Sequence, residues 1–174
     1  MSNSKGFTLV ELAIVLVIIG VILGGVVKGT ELVQSARAKR VYKDVQNVQT
    51  AFMTSVDING VIPGLVTTGD DAGTITNANF WQSIRNDNLF TGSGNASPNN
   101  SFGGAITIVT NAMTTTAGNH YVCSAGLPQA VIDYIDTQYD DGVGNTGDIL
   151  ASTATTTAGI ANFAATTVLC ARLQ

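Results

Sequence analysis

Charge is scarce in this sequence. Only 11% of its residues are Asp, Glu, Lys or Arg, against about 25% in an average soluble protein, while Gly, Thr, Ala and Asn are abundant. Water alone is an unsuitable environment for the whole of such a chain. Its eight basic residues are outnumbered by twelve acidic ones, for a net charge of -4. That balance excludes a general polyanion binder, because neutralising phosphates takes clustered Lys and Arg, and no nucleic-acid partner is expected. Histidine occurs once, at His120, and cysteine twice, a set that cannot complete a zinc site. A phosphate-binding glycine loop followed by Lys is absent, and so is a dinucleotide fingerprint. His120 and Ser124 are close only along the chain, which is thin support for a base and a nucleophile. The expectation is a protein that is not an enzyme. Its 174 residues suit one modest domain, or one domain plus an anchor.

What the chain does have is an apolar run near its start. Phe7 to Val27 is 21 residues long and carries Glu11 as its only charge; as a helix it would measure about 31 Å, enough to cross a bilayer core. A secretory signal peptide fits poorly, because Glu11 spoils the basic n-region and GGVVKGTEL is a poor cleavage site. A plain anchor meets a different difficulty. Lys28, Arg37, Lys39, Arg40 and Lys43 follow the span while Lys5 and the amino terminus precede it, and the positive-inside rule would then leave the body in the cytoplasm.

The stretch Lys5-Gly6-Phe7-Thr8-Leu9-Val10-Glu11, followed by the apolar span, resembles the leader and start of type IV pilins and of the related pseudopilins of type II secretion. The resemblance covers about residues 5 to 27 and fades after about residue 58. It implies a leader, residues 1–6, cut between Gly6 and Phe7 on the cytoplasmic side by prepilin peptidase, with Phe7 then N-methylated by the same enzyme. It also implies insertion with the leader in the cytoplasm and the body outside, which removes the charge conflict. The subunit would begin as a single-pass protein of the bacterial inner membrane. Assembly machinery in that membrane would then draw it into a helical filament of copies of itself and related pilins.

Glu11 corresponds to the fifth residue of the processed chain. An ionised carboxylate at bilayer depth costs about 2.5 to 3.5 kcal/mol, and the dipole at a helix N-terminus returns only about 0.3 to 1 kcal/mol. Cleavage after Gly6 would supply a partner, the α-ammonium of Phe7, four residues upstream and on the same face if both are helical. The alternative, implied by the resemblance, is the amino terminus of a neighbouring subunit. A pair between subunits would set axial register, because a mismatched addition leaves a buried charge unpaired.

Beyond the span, Leu32, Val33, Ala36, Val41, Val45, Val48, Phe52 and Val56 recur at spacings of three and four with charged and amide residues between them. That pattern predicts an amphipathic helix, ending near Ile58 where Asn59-Gly60 and Pro63 stop it. From Phe7 it would run about 52 residues, or roughly 80 Å, with 7–27 as membrane and filament-core helix and 28–58 packing on the head. Lys28 stands where many members of the family have a proline; Gly20, Gly24 and Gly25 lie nearby instead. Local melting on assembly and close helix packing account for these glycines equally well.

Residues 59–174 read as a small α+β head, so that the whole chain has a pilin-like α+β fold: a long N-terminal helix and a small C-terminal antiparallel sheet. Phe80 to Arg85 suggests a short helix whose aromatics pack on the long one. Ala105–Thr110, His120–Ser124 and Thr166–Leu173 have strand composition. Pro128 can start a helix with Leu127, Val131, Ile132 and Ile135 on its apolar face. The segment 92–104 reads as a mobile polar surface loop. In a head outside the cytoplasm, Cys123 and Cys170 are expected to form a disulfide, as many pilins have one that pins the carboxy-terminal region.

From Ile135 to Asp148, oxygen donors alternate with glycines, though not at EF-hand spacing. Major pseudopilins bind calcium in a loop near the carboxy terminus, which makes Asp136, Asp140, Asp141, Asn145 and Asp148 candidate calcium donors. Solvated acids capping turns are the other reading. Calcium dependence would favour a pseudopilin in a periplasmic pseudopilus. The disulfide and the weakly charged Thr/Asn/Gly-rich head favour a type IV pilin in an extracellular pilus. A periplasmic binding or hydrolytic domain on an uncleaved anchor is the reading from a different class.

Overall fold

The computed structural model describes residues 6–66, 74–110, 119–152 and 167–173. Leader residues 1–5 and Thr166 lie outside them. In chain order the elements are α1 (Leu9–Asn59), β1 (Leu65–Val66), β2 (Thr74–Ile75), α2 (Asn77–Asn86), β3 (Ile106–Thr110), β4 (His120–Ser124), α3 (Gln129–Tyr139), β5 (Ile149–Ser152) and β6 (Val168–Leu173). This is the α+β arrangement of a long N-terminal helix followed by a small antiparallel sheet. The chain divides into two compact units, Met1–Ala36 and Arg37–Gln174.

In the first unit α1 begins at Leu9, two residues later than the apolar run suggests. The reason is a cap. Thr8 and Glu11 stand in the T-x-x-E spacing of a capping box, and the box makes Thr8 the last residue before the helix. From Leu9 to Val27 the large apolar side chains are exposed, Leu16 at 70% and Val21 at 71%. By length and composition this stretch can cross a membrane, and an exposed apolar surface of this extent needs lipid or protein against it.

In the second unit the core lies between α1, the two short helices and one face of the sheet. The sheet order is β3-β4-β6-β5, antiparallel throughout. Ala38, Val41, Val45, Val48, Ala51 and Phe52 of α1 are buried, and they share a core with Phe80, Trp81 and Ile84 of α2 and with Val131, Ile132 and Ile135 of α3. The helical face therefore starts at Ala38, later than the sequence pattern implies, since Leu32, Val33 and Ala36 are exposed. Period-two alternation sends Ile106, Ile108, Val122, Leu169 and Ala171 to the same core and Tyr121, Cys123, Val168 and Cys170 to the other face.

Trp81 is fully buried and meets Phe80 edge-on at 5.1 Å, so its role is packing. Its indole N–H donates to Asn77 Oδ1 at 2.9 Å, and the same oxygen accepts from the Ile108 N–H at 3.0 Å. One amide thus ties α2 to β3. Phe80 in turn faces Phe52 of α1 at 6.5 Å.

The segment 92–104 starts as the exposed surface loop its composition implies, with residues 92–96 all exposed, but its last part is tied down from inside. Asn100 is buried; its Nδ2 donates to Ser124 Oγ at 2.8 Å and to the Ala125 carbonyl at 2.7 Å, and its Oδ1 accepts from the N–H groups of Phe102 and Gly104. A Cβ at Gly104 would overlap the Ala125 carbonyl oxygen, so only glycine allows this close approach. Polar composition points to solvent only when the amides find no partners inside. The sequence reading also has no counterpart for β5, or for the small β1–β2 pair.

Candidate functional site

Gly6 and Phe7 precede the helix, and both are exposed. Phe7 is 83% exposed, and no Cβ-distance neighbour crowds Gly6. The Gly6–Phe7 bond therefore lies in non-helical backbone, the form in which a peptide bond can enter an extended cleft. Glu11 Oε2 accepts from the Thr8 N–H at 2.8 Å and from the Thr8 hydroxyl at 3.0 Å, while the Glu11 N–H donates to Thr8 Oγ1 at 3.3 Å. In the chain with residues 1–6 in place the carboxylate is occupied with its own helix cap. Phe7 lies outside the helix, so the same-face pairing with Glu11 that a helix from Phe7 would allow is not built in this form. The cap is legible in the sequence as the Thr8-x-x-Glu11 spacing.

The disulfide joins Cys123 and Cys170, which stand directly opposite each other on β4 and β6. Both are fully buried, on the face of the sheet turned away from α1.

Three of the five candidate calcium donors come together. Carboxylate oxygens of Asp136, Asp140 and Asp141 all lie within 4.8 Å of one another. Asp136, in the last turn of α3, is only 1% exposed, and neither of its oxygens has a hydrogen-bond partner among the described residues. Burial pushes its carboxyl up to about 7, helped by the charges of Asp140, Asp141 and Asp133. Asp140 Oδ2 accepts from the Ile149 N–H at 2.7 Å. Asp141 accepts from the Val143 N–H and the Thr146 hydroxyl, and those bonds, the hydroxyl first, hold it below the usual carboxylate range. Asp148 is drawn elsewhere, to Arg172 on β6 at 2.9 Å. Asn145 is exposed in the connecting loop. The competing partner for Asp148 is 24 residues away, beyond the reach of local pattern reading.

His120 and Ser124 are engaged separately. They occupy the two ends of β4, roughly 13 Å apart at strand rise. Thr110 Oγ1 lies 3.0 Å from His120 Nδ1, burial lowers the basicity of that ring, and Ser124 Oγ accepts from Asn100.

Comparison with known proteins finds a motif at the first of these sites. Residues 1–27 match the prokaryotic N-terminal methylation motif, a match that supports a prepilin of type IV pilin or pseudopilin type, processed by prepilin peptidase. No curated protein and no solved structure matches the chain.

Proposed function

We propose that this chain is a structural subunit of a type IV pilus. Prepilin peptidase cuts it after Gly6 and methylates Phe7, and the subunit waits in the inner membrane with its head outside the cytoplasm. Inner-membrane assembly machinery then extracts it into a filament through α1. The observation that carries this reading is the methylation motif over residues 1–27, continuous with a helix whose apolar first half is exposed. A helix of this kind has two environments that satisfy it, the bilayer before assembly and neighbouring helices after it. Its role is architectural and not catalytic: the chain is an enzyme's substrate.

A pilus subunit is preferred because the head is sparsely charged and braced by a disulfide, as suits a surface fibre. The acidic group at Asp136 favours the second reading, a periplasmic pseudopilus of type II secretion. Shearing cells separates them. Abundant recovery of this protein in extracellular filaments is the expected result. Retention in the envelope, with secretion lost in a deletion strain, would overturn the pilus assignment in favour of the pseudopilus.

A further inference from the structure

We propose that the cleft between the carboxy-terminal end of α1, the turn that follows it and α2 binds a neutral saccharide. The cleft has a volume of about 670 Å³, within the usual range for small-molecule sites, and it lies wholly inside the second unit. One wall is made rigid by the sequence. The Leu65 N–H donates to the Ile62 carbonyl, with Pro63 second and Gly64, at φ +73°, third in the four residues, which is the type II turn pattern. A Cβ at Gly64 would overlap the backbone of Phe80, so glycine lets the turn close against the start of α2. Val61, 64% exposed, adds an apolar patch to this wall.

The opposite wall is a row of polar side chains. Asn79, Gln82, Ser83 and Asn86 line the cleft because spacings of three and four put them on one face of α2, while Phe80, Trp81 and Ile84 of the same helix are buried in the core. Gln82 Nε2 donates to Asn86 Oδ1 at 2.9 Å, which leaves the Gln82 carbonyl and the Asn86 amino group for a ligand. Asp87 closes the row. Its Oδ2 accepts from Ser55 Oγ at 2.7 Å and from Asn59 Nδ2 at 2.8 Å, so two donors from the end of α1 aim the carboxylate. Its Oδ1 has no hydrogen bond among the described residues.

These groups select the ligand. A sugar hydroxyl both donates and accepts, and a carboxylate beside carboxamides offers it acceptors and donors together. Among the described residues no Lys, Arg or His lines the cleft, so a phosphate or an acidic sugar finds no counter-charge there. Arg85, the one cation on α2, is turned to the carbonyls of Thr91 and Gly94. An apolar ligand would leave the amides unpaired, and an amine would meet one carboxylate without an aromatic face to complete a cation site. A pyranose ring, with an apolar C–H face and hydroxyls at its edge, suits Val61 on one side and the amides on the other. A filament built from this chain would carry one such cleft per subunit, in a pilus or a pseudopilus alike.

The test uses the full-length protein in micelles of a zwitterionic detergent, because alkyl glycosides would compete. Saturation-transfer difference NMR and calorimetry with cellobiose, lactose and N,N′-diacetylchitobiose should show binding of one or more of them. Asp87→Asn can still accept from Ser55 and Asn59; it should fold and bind about tenfold more weakly, for the loss of a charged acceptor. Gln82→Ala, at an exposed position, should leave Tm unchanged and weaken binding by about fivefold. Gln138→Ala, exposed on α3, should change neither. Absence of binding by all three sugars, or binding unchanged in both Asp87→Asn and Gln82→Ala, would overturn the proposal. Binding of tetralysine and of no sugar would also overturn it and assign the cleft to a cationic peptide.

Discussion

Glu11→Ala should still be cut after Gly6 and methylated at Phe7, yet yield filaments at about one hundredth of the parent level or less. In the uncleaved chain the Glu11 carboxylate closes a capping box with Thr8, a neutral donor set that satisfies hydrogen bonds without cancelling charge. On the proposed reading, removing the leader would create an ammonium on Phe7, and assembly would carry Glu11 into an apolar surrounding where an unpaired charge costs several kcal/mol. Deleting one partner of a buried ion pair costs about 3 to 5 kcal/mol, equivalent to at least two orders of magnitude in an association constant. Glu11→Gln sharpens the experiment. Glutamine serves the capping box as well as glutamate does, so this variant keeps the cap and loses only the charge. Both variants are expected to fail in assembly. If Glu11→Gln filaments form at the parent level, capping and not pairing is the role of residue 11.

The second large effect concerns the head. Replacing Cys123 and Cys170 together by alanine should lower the stability of the full-length protein by about 4 kcal/mol, the loop-closure entropy for cysteines 47 residues apart. For a chain of this size that corresponds to a fall in Tm of about 10 to 15 °C. The bridge ties β4 to β6 in register, and the loop it closes contains α3 and β5. Both cysteines must be changed, since a single substitution leaves a reactive thiol. Urea unfolding measures the difference, and reduction of the parent should bring it to the same midpoint as the double variant. A loss below about 1 kcal/mol would mean that the unfolded chain gains little freedom when the loop is opened.

Local chemistry explains which parts could be read from sequence. The segment Lys5–Glu11 and the apolar run after it carry a contiguous signal, and His120–Ser124 matches its expected strand residue for residue. Leu127, Val131, Ile132 and Ile135 are all buried as their spacing implies. Pro128 takes the position just before α3, where its missing N–H costs nothing. What escaped reading depends on distant partners. Asn100 looks like loop material until Ser124 and Ala125 are placed beside it. Strand β5 is four residues long and buried at every position, so it shows no alternation to find. Within the acidic loop, Asp148 is separated from Asp136 by an arginine on β6, which no spacing inside the loop reveals.

The function proposed for this chain depends on processing at Gly6–Phe7. Mass spectrometry of its amino-terminal peptide, taken from the envelope and from sheared material, reads that processing out. The expected result is a chain beginning with N-methyl-Phe7. A mature protein that still carries Lys5 and Gly6 would contradict it and point to a domain on an uncleaved anchor.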